Sequence, residues 1–278
     1  MELDRNLAIQ LCAASQFIYP PNDIAGLGLP RPAITILHDK GPIQTSTVGV
    51  LRYPDKTVVV FQGTLTGKSV QAVRDWLDNF RVVSGAVAGF AGKVHLGFAS
   101  QLNGVEGQLI TDLKSGFTPP LYITGHSQGG AVAVLATKAL QSAGFPVTAT
   151  YTFAAPRPGD MAFGASVTTP LFRLEYGNDI VPHVPIPASM LSAFQRAMLL
   201  VPRLAPTLAK LTVPDTLDYR SIGALVYGAP GQKALTVGLS PAEERKLSEA
   251  RRLRLLLARN QLFDHHQLDN YRKMLTPA

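Results

Sequence analysis

The fold is indicated by ten consecutive residues, Leu121-Tyr122-Ile123-Thr124-Gly125-His126-Ser127-Gln128-Gly129-Gly130. A short apolar strand at 121–124 runs into a Gly-x-Ser-x-Gly turn, and a helix of small residues is predicted at 128–143. Such a sharp turn holds a serine hydroxyl within reach of a base, but it leaves no room for side chains two positions before and after the serine. The alternative is an ordinary glycine-rich turn. The strand before the turn and the helix after it favour Ser127 as a nucleophile.

Further predicted strands and helices alternate along the chain. Apolar residues at helical spacing predict an amphipathic helix at 3–18, ended by Pro20-Pro21. The β-branched run at 56–62 is typical of a strand buried on both faces. Strands are predicted at Ala33–Leu37, Thr47–Tyr53, Lys56–Gln62, Leu121–Thr124, Thr148–Phe153 and Leu171–Tyr176. This alternation predicts an α/β fold, with a mostly parallel central sheet covered by helices on both faces.

Composition limits the classes of protein that need to be considered. The chain has 278 residues, of which 46% are apolar and 16% charged, and this balance is typical of a folded chain. Its single cysteine excludes an internal disulfide. The formal net charge is +7, but the basic residues do not alternate with aromatic residues, so no nucleic-acid partner is expected. The densest basic group, residues 251–254, is interpreted as a solvated helix face, with an anionic lipid surface as the second interpretation.

The N-terminal residues are charged and mixed in sign, and no apolar run of the signal-peptide type follows them. No stretch approaches the roughly 18 apolar residues that would cross a bilayer, so no transmembrane segment is expected. Three localisations remain open, namely the cytoplasm, export by a route that needs no signal peptide, and the mature form of a secreted enzyme.

All 278 residues are expected to form a single domain, and residues 187–214 form a candidate helical insertion. This segment is rich in leucine, methionine and alanine and is interrupted by prolines. It either packs on the domain as a helical excursion or forms a lid with an apolar underside. Its basic residues Arg196, Arg203 and Lys210 are seven positions apart, which suggests peripheral contact with an anionic lipid interface.

Two backbone amides are candidates for stabilising an oxyanion. The amide of Gln128 lies at the predicted helix N-terminus, where the backbone donors and the helix dipole favour negative charge. A tetrahedral oxyanion needs a second donor. Thr64 is the candidate because Gly63-Thr64 directly follows the predicted buried strand.

Several further motifs occur in a fixed order from about residue 45 to the C-terminus. They are Val59–Thr64 followed by Asp75-Trp76-Leu77, then Val94–Phe98, Gly125–Gly130, Phe153–Gly159, Asn178–Pro182 and Tyr219–Gly223. In this order they resemble the fungal-type class 3 lipases, which implies the α/β-hydrolase fold. Three residues depart from that family's usual pattern: Gln62 replaces arginine, Gln128 replaces leucine and Ala154 replaces glycine.

Serine hydrolases of this fold place the acid and then the base downstream of the nucleophile. Asp179 follows the strand at 171–176, at the carboxyl edge where open α/β sheets form their active sites. Its rival, Asp160, lies in a Pro/Gly turn and better suits a capping role. Of the downstream histidines, His183 is interpreted as structural.

The candidate bases His265 and His266 are adjacent, so their side chains on a helix point about 100° apart and only one can face Ser127. The family's C-terminal signature, His-x-Leu/Met-x-x-Tyr, is matched by residues 266–271 and favours His266, with His265 as the alternative base. Neighbouring histidines do not converge on a metal, and no other ligands cluster nearby, so neither a metal nor a cofactor is expected.

The resemblance implies a carboxylic ester hydrolase, specifically a lipase that cleaves acylglycerols through a Ser-His-Asp triad and an acyl-enzyme. The expected substrate is a small-molecule or lipid ester. The alternatives are a phospholipase or thioesterase of the same fold, or a catalytically silent member that binds a lipid or a protein.

Overall fold

The computed structural model describes residues 2–20, 31–40, 46–63, 83–187, 212–213, 218–232, 234–247, 251 and 264–276. The helices used below are α1 (Arg5–Phe17), α2 (Leu96–Ser115), α3 (Gln128–Ser142), α4 (Met161–Ser166) and α5 (Leu268–Leu275). The strands are β1 (Ala33–His38), β2 (Thr47–Tyr53), β3 (Lys56–Phe61), β4 (Ser84–Gly85), β5 (Val94–His95), β6 (Leu121–His126), β7 (Val147–Phe153), β8 (Gly159–Asp160), β9 (Leu171–Tyr176), β10 (Ile186–Pro187), β11 (Thr212–Val213), β12 (Tyr219–Arg220), β13 (Ala224–Gly228) and β14 (Leu235–Val237).

The central sheet has eight strands in the order β1-β2-β3-β6-β7-β9-β13-β14. Strands β3, β6, β7, β9 and β13 run parallel to one another, while β1, β2 and β14 join the two edges in antiparallel pairs. The register pairs Phe61 with Gly125 and Phe153 with Leu174, so the carboxyl ends of the middle strands lie at one edge. The predicted mostly parallel sheet is therefore confirmed.

Helices cover both faces of the sheet. On one face, α2 and α3 pack over Val59 and Phe61, and on the other, α1 and α5 pack over Val58 and Val60. Successive residues of β3 thus enter opposite cores, as the pleat of a strand requires. The prediction of a strand buried on both faces is confirmed.

The bounds of the other elements follow from local contacts. Helix α1 begins after Asp4 because the Asp4 side chain accepts a hydrogen bond from the Leu7 amide at 2.9 Å. Strand β6 extends two residues beyond its apolar run because Gly125 pairs with Phe61 of β3 and His126 pairs with Phe153 of β7. Helix α2 was not predicted, although Phe98 and Leu102 begin a buried series at helical spacing.

One pair of short strands, β10 and β11, frames the predicted insertion. Strands β10 and β11 pair in parallel, so the chain entering the segment lies beside the chain leaving it. Residues 188–211 lie outside the described residues, and the lid interpretation of residues 187–214 stays a prediction. In the described part of the chain, no helix is long and apolar enough to cross a membrane.

The interpretation of residues 251–254 as a solvated helix face is wrong for Arg251, whose side chain is only 2% exposed. The Arg251 guanidinium pairs with the buried carboxylate of Glu175 on β9, and its central carbon lies 4.8 Å from the centroid of the Tyr227 ring. Burial opposes ionisation of Glu175, but Arg251 and Arg173 outweigh it and hold the Glu175 pKa well below its usual range. Because a buried carboxylate needs a counter-charge, one arginine of the run is drawn into the interior.

Candidate active site

Ser127 occupies a strained turn between β6 and α3. Its backbone has φ 56° and ψ −133°, in the left-handed half of conformational space, and its amide donates to the Phe153 carbonyl at 2.8 Å. A Cβ on Gly125 would lie 2.3 Å from the Gly129 carbonyl oxygen, and one on Gly129 would lie 2.3 Å from that of Phe61. The turn therefore has the tight packing that its two glycines predict.

Replacing Gly129 with alanine is expected to lower the free energy of unfolding by about 1–3 kcal/mol, because the new methyl group meets backbone atoms that cannot rotate away. Gly107 in α2 is the matched control, since a Cβ there meets nothing within 4 Å. Gly107→Ala is expected to raise stability by about 0.5–1 kcal/mol. Urea unfolding of both variants measures the difference, and equal effects would contradict the proposed packing.

One of the two candidate oxyanion amides, that of Gln128, lies at this turn. Gln128 is the first residue of α3, so its amide is at the positive end of the helix dipole. The chain leaving β3 passes close by, because a Cβ on Gly63 would lie 3.4 Å from the Ser127 Cβ. Thr64, the predicted second donor, lies outside the described residues.

Asp179 lies in the turn after β9, and its side chain is completely buried. Its Oδ1 accepts a hydrogen bond from the Val181 amide at 3.0 Å, and its Oδ2 accepts the Tyr271 hydroxyl at 2.6 Å. The His266 Nδ1 lies 3.0 Å from Oδ2 and 3.1 Å from Oδ1. The fold thus brings together two of the predicted site residues, Asp179 and His266, although they are distant in sequence.

The adjacent His265 faces a different group. Its Nδ1 accepts a hydrogen bond from the Asn178 amide at 2.8 Å, and its ring meets the Tyr176 ring edge-on with centroids 5.2 Å apart. A Cβ on Gly177, whose φ is 53°, would lie 2.5 Å from that nitrogen. Burial lowers the pKa of His265, which favours the neutral ring that this contact requires. His265 therefore stabilises the turn that precedes the buried carboxylate of Asp179.

Other candidate residues are held in local contacts. Asp160 caps α4 by accepting from the Phe163 amide at 2.9 Å, and it also accepts from the Lys93 amide at 2.8 Å. The His183 Nε2 lies 3.9 Å from a carboxylate oxygen of Glu175. Within the described ranges, no group of three or more histidine, cysteine, aspartate or glutamate side chains is placed to hold a metal ion.

The sequence did not predict the roles of two tyrosines, Tyr271 and Tyr19, or the reason why Ala154 departs from the family pattern. Tyr271 is the last residue of the C-terminal signature, and its place in that signature could have indicated its contact with Asp179. Tyr19 follows α1, and no sequence motif indicated it. Ala154 has φ 54°, a conformation that costs a non-glycine residue about 1–2 kcal/mol and accounts for the family's usual glycine.

The parallel sheet, the helices on its two faces and the strained turn at Ser127 define the α/β-hydrolase fold. Residues 58–189 match the family model described as Lipase (class 3). The resemblance to the fungal-type class 3 lipases is therefore confirmed over residues 58–189.

The matching relatives are fungal lipases. The secreted mono- and diacylglycerol lipase 1 of Fusarium solani is 35% identical over 123 residues, which are 41% of this chain and 36% of that protein. A lipase of Rhizomucor miehei is 32% identical over 144 residues, which are 47% of this chain and 38% of that protein. The matched segment thus spans little more than a third of the length of these relatives.

Solved structures show the same architecture over most of the chain. Lipase II from Rhizopus niveus superposes with a TM-score of 0.63 at 21% identity, covering 85% of this chain and 84% of that one. A triacylglycerol lipase whose catalytic centre is described as a serine protease triad gives 0.61 at 21% identity, with coverage of 84% and 82%. At this level of identity the likeness shows the α/β-hydrolase fold alone.

Proposed function

We propose that the protein is a carboxylic ester hydrolase, and specifically a lipase that cleaves acylglycerols. Ser127 is the nucleophile, His266 the general base and Asp179 the acid that orients the base. The observation that carries the proposal is the buried contact of His266 with Asp179, which lies at the sheet edge that also bears the strained Ser127 turn.

The mechanism follows from the hydrogen bonds of His266. Its Nδ1–H donates to the Asp179 carboxylate, so Nε2 is the nitrogen that takes the Ser127 proton. The Ser127 oxygen attacks the ester carbonyl, while the amides of Gln128 and Thr64 stabilise the oxyanion. His266 then protonates the departing alcohol. A water, deprotonated by the same nitrogen, attacks the acyl-enzyme. The bond from the acyl carbon to the Ser127 oxygen then breaks, the carboxylic acid leaves, and His266 returns the proton to Ser127.

Tyr271 adds a hydrogen-bond donor to the Asp179 carboxylate. Three donors converge on this buried carboxylate, from Val181, Tyr271 and His266. Hydrogen bonds to an ionised group are stronger than those between neutral groups, and a buried charge without them would be costly. The site can therefore stabilise the imidazolium that forms when His266 accepts the proton.

The acylglycerol assignment is supported by the relatives, which are named as mono- and diacylglycerol lipases and as a triacylglycerol lipase. Peripheral contact with a lipid interface, through residues 187–214, belongs to the same proposal. The test compares turnover of an emulsified triacylglycerol, a phospholipid and an acyl thioester. We expect the acylglycerol to be cleaved fastest, and preference for either other substrate would assign a phospholipase or a thioesterase.

A catalytically silent member of the fold is the alternative from another class. It is tested with a fluorophosphonate, which forms a covalent bond with an activated serine. We expect labelling at Ser127, identified by peptide mass spectrometry. An unlabelled serine in folded protein would favour a binding function instead.

Replacing Asp179 with asparagine is expected to lower kcat by roughly 10⁴-fold with little change in KM. The amide has a single acceptor oxygen for three donors, and its NH₂ group favours the wrong tautomer of His266. Steady-state kinetics on a soluble short-chain ester measure the loss.

The rival acid Asp160 supplies the matched control. Asparagine is nearly as good a helix cap as aspartate, so Asp160→Asn should change kcat by less than about twofold. A larger loss in Asp160→Asn than in Asp179→Asn would reverse the assignment of the acid.

A further inference from the structure

A chain of hydrogen bonds runs from the end of β3 to the backbone of His266 through two side chains. The Gly63 amide lies 3.1 Å from the Tyr19 hydroxyl oxygen. That hydroxyl lies 3.2 Å from Nδ1 of His126, and Nε2 of the same ring lies 2.9 Å from the His266 carbonyl oxygen. Two residues outside the predicted triad thus connect separate parts of the site.

The direction of every bond in this chain is determined by chemistry. The His266 carbonyl can only accept, so the His126 proton is on Nε2. Burial and the nearby His266 lower the pKa of His126 well below its usual value, so the ring is neutral and its Nδ1 accepts. Burial raises the pKa of Tyr19 above its usual range, so its hydroxyl keeps the proton that it donates to Nδ1. The same oxygen accepts the amide N–H of Gly63, and a single tautomer satisfies all three contacts.

Both ends of this series of hydrogen bonds lie at groups on which the proposed reaction depends. The His126 ring is tilted against the His266 ring, with centroids 4.7 Å apart. At the other end, a Cβ on Gly63 would lie 2.3 Å from the Tyr19 hydroxyl and 3.4 Å from the Ser127 Cβ. Gly63 directly precedes Thr64, the predicted oxyanion donor. A displacement of Gly63 would therefore change the position of His266 through the Tyr19 hydroxyl and the His126 imidazole.

The position of Tyr19 is itself determined by contacts at the end of α1. The Gln62 side chain donates from Nε2 to the Ile18 carbonyl at 2.8 Å, which ties the end of α1 to the end of β3. The Tyr19 amide donates to the Gln16 carbonyl at 3.3 Å, and the ring packs against the core beneath α1. Gln62 is one of the three residues that depart from the family pattern, and in this protein its side chain helps to position Tyr19.

We propose that Tyr19 and His126 are positioning residues that couple the backbone carrying the oxyanion donor to the backbone of the general base. The proposal rests on the proposed ester hydrolysis. Removing the Tyr19 hydroxyl leaves the Gly63 amide without its acceptor and the Nδ1 atom of His126 without its donor. The backbone at Gly63 and the backbone at His266 are then no longer linked by hydrogen bonds, and the loss is expected in the transition state rather than in substrate binding.

The test is Tyr19→Phe, which keeps the ring and removes only the hydroxyl. We expect kcat on a soluble short-chain ester to fall about 10- to 100-fold, with KM changed by less than about twofold. Tyr151→Phe is the matched control, because Tyr151 is also buried in the core beneath α1 but belongs to β7. The control should keep the wild-type kcat. A Tyr19→Phe variant with the kcat of the control would overturn the positioning role.

Two substitutions of His126 separate its hydrogen bond from its bulk. His126→Gln retains an N–H that can reach the His266 carbonyl, whereas His126→Leu retains bulk alone. We expect kcat of the glutamine variant to exceed that of the leucine variant by about tenfold. Equal kcat values in the two variants, measured well below their melting temperatures, would contradict a role for the hydrogen bond.

The tautomer provides a readout that does not depend on turnover. Long-range ¹H–¹⁵N correlation spectra of histidine-labelled protein should show His126 with its proton on Nε2 in the wild type, and a displaced Nδ1 resonance in Tyr19→Phe, where that nitrogen has lost its donor. A proton on Nδ1 in the wild type would overturn the chain of bonds. Ser127-dependent hydrolysis that survives Tyr19→Phe unchanged would overturn the positioning role alone, whereas a wild type without such hydrolysis would overturn the proposed function together with it.

Discussion

Replacing Ser127 with alanine is expected to lower kcat on a p-nitrophenyl ester by about 10⁶-fold, to a residual rate provided by the oxyanion donors and substrate binding. Alanine removes the oxygen that would form the acyl-enzyme, and it leaves the turn intact because its Cβ occupies the same place. The measurement is the hydrolysis of an ester series from acetate to long-chain acyl groups. KM should change far less than kcat.

Ser142 supplies the matched control, since it is an exposed serine at the far end of the helix that begins after Ser127. Ser142→Ala should hydrolyse every ester at the wild-type rate. Equal rates for Ser127→Ala and the wild type would exclude Ser127 as the nucleophile and remove the basis of the proposed mechanism.

The second large loss is expected at His266, where asparagine should lower kcat by about 10⁶-fold, as loss of the base is as damaging as loss of the nucleophile. Asparagine can donate to the Asp179 carboxylate in place of Nδ1, but it has no basic nitrogen to take the Ser127 proton. The kcat and KM of a soluble ester, together with the rate of fluorophosphonate labelling, measure this loss.

The neighbouring His265 provides a comparison within the same segment. Its Nδ1 accepts the Asn178 amide, and asparagine can offer an oxygen to that amide, so His265→Asn should lower kcat by less than about tenfold. If His265→Asn instead removed activity while His266→Asn kept it, the base would have to be reassigned to the alternative residue.

Local sequence was sufficient where one element and its immediate neighbours decide the structure. Residues 121–130 predicted a strand, a turn and a helix because the glycines there are required by backbone atoms within the turn and in the adjacent β3. The β-branched run at 56–62 predicted a doubly buried strand because a parallel strand must be apolar on both faces. The order of the family motifs extended these predictions to the fold.

The interpretation of the basic residues at 251–254 was wrong for one side chain, and the error has a physical cause. The basic run at 251–254 was interpreted from its composition as a solvated helix face. Arg251 is buried instead, because Glu175 on β9 carries a carboxylate inside the domain. The two residues are 76 positions apart, and no local pattern indicates that they pair.

The strained turn at Ser127 and the parallel sheet that carries it are consequences of the sequence alone, because they depend on steric limits and on hydrophobic periodicity along continuous segments. The choice between His265 and His266 is different. Only the tertiary structure decided that His266 meets Asp179 while its neighbour meets the Asn178 amide. It also brought Tyr19 to His126, across 107 positions. Hydrogen bonds act over about 3 Å, and which distant groups come within that distance is decided by how the helices pack on the sheet.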